Sequence, residues 1–223
     1  MFIYCLPVTD SPWQDTESNL LPFISPKRRE KVLNYRCSID KKLSLYAALL
    51  VRMQLSKLTG IPNDSLLFQH TADGKPMFLS DPQYHFSLSH TRNMILCGIS
   101  SEGPLGIDTE ALDKTLPIND MYPALHPVER NYIDHTALPE RHLRFYKIWT
   151  QKEACVKFSG SGFLAEPSDI NTLEPGLAAH LHTWKYLNYV CSVFSPAAWN
   201  ADSMQLIRES DIRHFFEASV SFL

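Results

Sequence analysis

The chain has 223 residues, 44% of them hydrophobic, which is enough for one large domain or for two domains of about 100 residues with a genuine core. Its formal net charge of −3 argues against nucleic acid or an anionic membrane as a general partner, so any basic cluster must serve a local anion. Five widely spaced cysteines without a Cys-x-x-Cys pair disfavour a disulfide framework and a zinc site, and point to the reducing cytoplasm.

The opening MFIYCLPVTD has no basic n-region and is interrupted by Pro7 and Asp10, so it predicts a first strand, not a signal peptide. No apolar stretch is long enough to span a membrane. From Ser25, SPKRREKVLNY predicts a short charged helix carrying Lys27, Arg28, Arg29 and Lys31, which by composition alone reads as a solvated face. Residues 41–58 place Leu43, Tyr46, Leu50 and Met53 at helical spacing, with Gly60 and Pro62 as the stop. The DGKP segment is a turn with Lys75 at its exit. HFSLSH and MILCGIS then read as strands. In the first, Phe86 and Leu88 face one way and Ser87 and Ser89 the other, with His90 and Thr91 at the end. No Gly-x-Ser-x-Gly elbow surrounds Ser89, which removes a serine-hydrolase reading.

In GPLGIDTEALDK, residues 103–114, an extended backbone puts Asp108 and Glu110 on one face and Leu105, Ile107 and Thr109 on the other. The pair is either solvated in a loop or one edge of a cation site. HPVERNYIDH predicts a second short helix, and Pro139 opens a long one with Phe145, Trp149 and Val156 inside and Gly160 and Gly162 as its stop. Trp149, Glu153 and Lys157 share a helix face at i, i+4, i+8. As a mere surface pair Glu153 and Lys157 contribute about 0.3–0.5 kcal/mol, whereas Glu153 together with Asp108 and Glu110 makes a hard oxygen set suited to Mg²⁺ and a phosphorylated substrate. LHTWKY and YVCSVFS close the series as strands. The glycines ending the long helices lie 100 residues apart and the prolines opening the short ones 101 apart, which predicts a duplicated unit. The expected fold is therefore α+β in two similar halves, 1–104 and 105–223, joined near Glu102 to Leu105.

Taken in order, FISPKRREK, GKP, FSLSHT, GIDTE and WTQKEACVKFSGSG resemble the surfactin-type (Sfp-type) 4'-phosphopantetheinyl transferases, over residues 1 to about 175. The resemblance implies a cytoplasmic, monomeric pseudo-dimer of two α+β halves with coenzyme A in the cleft between them. It implies transfer of 4'-phosphopantetheine to a serine of an apo acyl or peptidyl carrier protein, with Mg²⁺ held by Asp108, Glu110 and Glu153. Glu153 is then the base, Lys157 stabilises the leaving bridging oxygen, and Glu129 is a possible helper. Ser89, His90 and Thr91 correspond to the phosphate-contacting strand end, Lys75 and Pro76 to the adenine end, and Arg28 and Lys31 to the basic positions facing the nucleotide phosphates. One departure stands out: where the family usually carries an arginine near the 3'-phosphate, this chain has Leu43, and Lys42 beside it is a candidate substitute. The carrier surface is expected within residues 158–190, with Phe163 and Leu164 as apolar contacts. Competing readings are a Mg²⁺-dependent phosphohydrolase acting on coenzyme A and a catalytically silent coenzyme A-binding module.

Overall fold

Two α+β halves with the same order of elements make up the computed structural model, which describes residues 1–71, 74–159, 166–199 and 204–220. The first half contains β1 (Phe2–Pro7), α1 (Asp15–Leu20), α2 (Pro26–Asn34), α3 (Ser38–Thr59), a ribbon of β2 (Phe68–His70) and β3 (Pro76–Phe78), and a hairpin of β4 (His85–Thr91) and β5 (Met94–Ser100). The second contains β6 (Gly106–Ala111), α4 (Pro127–Asp134), α5 (Leu138–Ser159), α6 (Pro175–Ala178) and a hairpin of β7 (Leu181–Tyr186) and β8 (Tyr189–Phe194). The chain ends with β9 (Met204–Leu206) and α7 (Glu209–Val220). In each half a leading strand, a short helix, a long helix and a hairpin follow one another, and the leading strand pairs antiparallel with the second hairpin strand, β1 with β5 and β6 with β8. Both hairpins turn on two residues, the first with positive φ: Arg92 at 42° and Leu187 at 52°. The repetition expected from the glycine and proline spacing is thus repeated in topology.

Local chemistry explains the boundaries. The Ser25 hydroxyl accepts from the Arg28 N–H and Pro26 opens α2, while Gly60, at φ 74°, stops α3 and donates its N–H to the Ser56 carbonyl. Helix α3 starts at Ser38, before the expected Lys41, because Asp40 suits the positive end of the helix although the apolar repeat begins only at Leu43. His126 and Glu129 form a capping box at the start of α4.

The first sheet, in order β4-β5-β1-β9, packs one face on α3 and α7 through Tyr4, Leu6, Tyr46, Leu50 and Phe216. Its other face meets the second sheet, β6-β8-β7, through Ile3, Cys5, Met94 and Leu96 against Leu105, Ile107, Cys191 and Val193. Strand β9 pairs parallel with β1, so the end of the chain returns to the first half. Among the described residues no helix is long and apolar enough to cross a membrane.

Helix α5 lies directly on β6, and Gly106 makes that approach possible. A Cβ built there would stand 1.9 Å from the Ala154 carbonyl oxygen and 2.5 Å from the Phe158 nitrogen. Since backbone cannot swing aside as a side chain can, Gly106→Ala should push α5 off the sheet and lower stability by about 1–3 kcal/mol, as measured by urea unfolding. An unchanged midpoint would contradict this packing.

Candidate functional site

Strand β4 is an edge of the first sheet and β6 an edge of the second, and the two lie against each other at the seam. Alternation puts Ser87, Ser89 and Thr91 on one face of β4, and each hydroxyl reaches across to β6. Ser87 Oγ accepts from the Ile107 N–H (3.2 Å), Ser89 Oγ donates to Asp108 Oδ1 (2.7 Å), and Thr91 Oγ1 donates to Glu110 Oε2 (2.9 Å). Helix α5 completes the group: Lys157 Nζ donates to Asp108 Oδ1 (2.6 Å) and to Ser89 Oγ (3.0 Å). The structure therefore brings together Ser89, Thr91, Asp108, Glu110 and Lys157, from two halves of the chain.

Asp108 is buried, and its second oxygen, Oδ2, has no hydrogen-bond partner among the described residues. Burial, and then the Asp108 charge, push the Glu153 carboxyl above its ordinary range. The same two causes raise Glu110, opposed by the Thr91 hydroxyl. These three carboxylates, from one strand and one helix, thus sense one another electrostatically. Among the described residues no three His, Cys, Asp or Glu side chains form a closed metal cage; Lys157 stands on Asp108 and Thr91 holds Glu110 instead. Even so, a mutually repelling set of hard oxygens with one buried oxygen unpartnered fits a small dication, which would offset both the repulsion and the desolvation.

Cations gather on the first-half side. Burial lowers the His90 pKa, and the charges of Lys157 and Lys31 lower it further, so the imidazole loses its proton at a lower pH than an ordinary histidine. A cavity of about 360 Å³ continues along β4 between α2, α3 and the ribbon, lined by Lys27, Arg28, Arg52, Phe68, Pro76, Phe86 and Leu88. Arg52 was not anticipated. Its guanidinium lies over the Phe68 ring (4.9 Å to the centroid) and Nη1 donates to Asn63 O and Oδ1 (3.1 Å each). The only signal was a lone charge inside the apolar run ALLVRM. Pro76 lines this cavity, whereas Lys75 turns to α5, its Nζ donating to the Phe158 carbonyl (2.9 Å) with its pKa lowered by burial.

Two expectations are overturned. Glu129 cannot assist catalysis: it is fully buried, Oε2 accepts from Lys152 Nζ (2.6 Å) and the His126 N–H (2.9 Å), and Oε1 accepts from the Thr172 N–H and hydroxyl (2.9 Å each). With both oxygens occupied and no solvent contact, it ties α4, α5 and the Thr172 segment together. Lys42 cannot replace an arginine at the Leu43 position either. It is buried with Nζ donating to Ser11 Oγ (2.5 Å) and standing 3.5 Å from the buried Glu17, while Leu43 itself belongs to the core. Trp149 stacks on Phe145 in the second-half core. Phe163 and Leu164 lie outside the described residues.

Residues 104–201 match the family described as the 4'-phosphopantetheinyl transferase superfamily, and residues 10–102 match the one described as 4'-phosphopantetheinyl transferase, N-terminal. The chain is 31% identical over 158 residues to the 4'-phosphopantetheinyl transferase Sfp of Bacillus subtilis (strain 168), covering 70% of this chain and 68% of that protein. It is 27% identical over 158 residues to the 4'-phosphopantetheinyl transferase psf-1 of Bacillus pumilus, covering 70% and 66%. With the human L-aminoadipate-semialdehyde dehydrogenase-phosphopantetheinyl transferase it shares 24% identity over 153 residues, 62% of this chain and 49% of the relative. The matched segment thus spans about two thirds of the two bacterial relatives.

Proposed function

Since the chain belongs to the 4'-phosphopantetheinyl transferase superfamily, we propose that it transfers the 4'-phosphopantetheine group of coenzyme A to a serine of an apo acyl or peptidyl carrier protein, releasing 3',5'-ADP. The observation that carries this reading is Asp108, held from the first half by Ser89 and from the second by Lys157, within electrostatic reach of Glu110 and Glu153.

In this reading the first half binds the nucleotide and the second supplies the reacting groups. The cavity beside Arg28 and Pro76 takes the nucleoside, Arg28, Lys31 and His90 face its phosphates, and Ser89 and Lys157 receive the diphosphate at the seam. Asp108, Glu110 and Glu153 would hold Mg²⁺, which when bound neutralises the diphosphate and favours displacement at phosphorus. The carrier serine hydroxyl attacks the β-phosphorus, the bond from that phosphorus to the bridging oxygen breaks, and the hydroxyl proton passes to a carboxylate. Glu153 is the base: α5 brings its carboxylate within electrostatic reach of Asp108 at the seam, where it can take the serine proton. Lys157 donates to the bridging oxygen as negative charge develops there. Lys75 and Thr91 are contacts to the coenzyme in the resemblance; in this structure they bond to Phe158 and Glu110. The carrier is expected to dock beyond α5, within residues 158–190. Two halves in one chain support a monomer, and five free cysteines support the cytoplasm.

The test is whether 3',5'-ADP appears with the carrier. With coenzyme A and Mg²⁺, release should match the amount of apo carrier and then stop. Continued release in the absence of any carrier would contradict the proposal and favour hydrolysis.

A further inference from the structure

Resting on the transferase reading, we propose that Thr91 is a positioning residue for the dication: its hydroxyl orients Glu110, so a strand of the first half sets the metal affinity of carboxylates in the second. A threonine hydroxyl has a single proton to donate. Here that proton lies on Glu110 Oε2 at 2.9 Å, so Thr91 cannot donate to a phosphate without releasing the carboxylate. Asp108 is anchored twice, by Ser89 and by Lys157. The Glu110 carboxylate has, among the described residues, Thr91 as its one hydrogen-bond partner. Its orientation therefore depends on that bond far more than the orientation of Asp108 depends on Ser89. The dependence also crosses the seam, since β4 and β6 belong to different sheets and meet here through the three hydroxyls of Ser87, Ser89 and Thr91. Outer groups that orient a carboxylate ligand typically change metal affinity by about 10–100-fold.

Mn²⁺ serves as the probe, titrated into the coenzyme-free protein and followed by the electron paramagnetic resonance signal of the free ion. Thr91→Val should raise the Mn²⁺ Kd by at least about tenfold, and Thr91→Ser should restore it. Ser87→Ala provides the control for the seam: it removes a hydroxyl from the same face of β4, but one that accepts from the Ile107 N–H and touches no carboxylate. It should leave the Mn²⁺ Kd unchanged, and thermal unfolding should show all three variants folded. Equal Mn²⁺ affinity in Thr91→Val and the unchanged protein, with weakened coenzyme A binding instead, would overturn the inference in favour of direct phosphate contact. An equal loss in Ser87→Ala would overturn it in favour of general loosening of the seam. Absence of Mn²⁺ binding by the unchanged protein would bring down the dication reading itself, and this inference with it.

Discussion

Asp108→Ala should lower turnover by about a thousandfold or more while leaving the far-ultraviolet circular dichroism unchanged. The side chain sits where three contributions meet. It accepts from Ser89 across the seam and from Lys157 within its own half, it raises the proton affinity of Glu153, and it presents a buried oxygen without a partner among the described residues. Removing it frees Lys157 from its ion pair, withdraws one of the three carboxylates proposed to hold the dication, and removes a charge that raises the proton affinity of Glu153. The fold should survive, because Lys157 is 30% exposed at its side chain and can be solvated, so no uncompensated charge is trapped. Steady-state kinetics with saturating coenzyme A and Mg²⁺ provide the measurement. A loss of less than about tenfold would show that the charge at Asp108 is not used in the reaction.

The second large effect concerns stability. Lys152 and Glu129 form an ion pair at 2.6 Å with side-chain exposures of 1% and 0%, and Lys152 also donates to the Ile170 carbonyl. Burial pulls the Lys152 pKa down and Glu129 holds it up, and the pair persists only because each charge answers the other. Lys152→Met should cost about 3–5 kcal/mol in urea unfolding, since it leaves a carboxylate buried without its counter-charge. That is a large fraction of the roughly 5–15 kcal/mol typical of a whole protein. Replacing both partners with apolar residues should recover much of the loss, which separates the cost of an orphaned charge from the worth of the pair. Under conditions where Lys152→Met is folded, its turnover should fall far less than that of Asp108→Ala. A destabilisation below about 1 kcal/mol would contradict the closed network around Glu129.

These two carboxylates, Asp108 and Glu129, show where the sequence is readable and where it is not. Alternation along β6 put Asp108 and Glu110 on one face, and helical spacing put Glu153 and Lys157 on another; local periodicity carries that information directly. The long helices and both hairpins were legible for the same reason, with Gly60 marking the end of α3, while Gly160 and Gly162, the expected stop of α5, lie outside the described residues. Glu129 read as a helper in catalysis and Lys152 only as the neighbour of Glu153, because nothing local announces that an ion pair 23 residues apart closes over a buried turn. Lys42 misled similarly: its burial depends on Ser11 and Glu17, which come from a segment with little pattern of its own. Strand β9 is three residues long, and its pairing with β1 is a tertiary event at the far end of the chain. Arg52 needed the ribbon to fold over it before it became a wall of the cavity between α2, α3 and the ribbon.

The seam adds a further consequence of duplication. Both halves use the same strand, helix and hairpin order, yet the groups on the facing edges differ in kind: hydroxyls on β4, carboxylates on β6. A repeated fold thereby acquires a polar site that neither half contains alone. The arrangement also explains the need for Gly106, since α5 must lie close enough for Lys157 to reach Asp108.

The central claim is that this seam transfers phosphopantetheine to protein. Intact-mass spectrometry of an apo acyl or peptidyl carrier, incubated with the purified protein, coenzyme A and Mg²⁺, measures that most directly. The carrier should gain the mass of one phosphopantetheine, and the same carrier with its acceptor serine replaced by alanine should gain none. No gain on any member of a panel of acyl and peptidyl carriers would contradict the account.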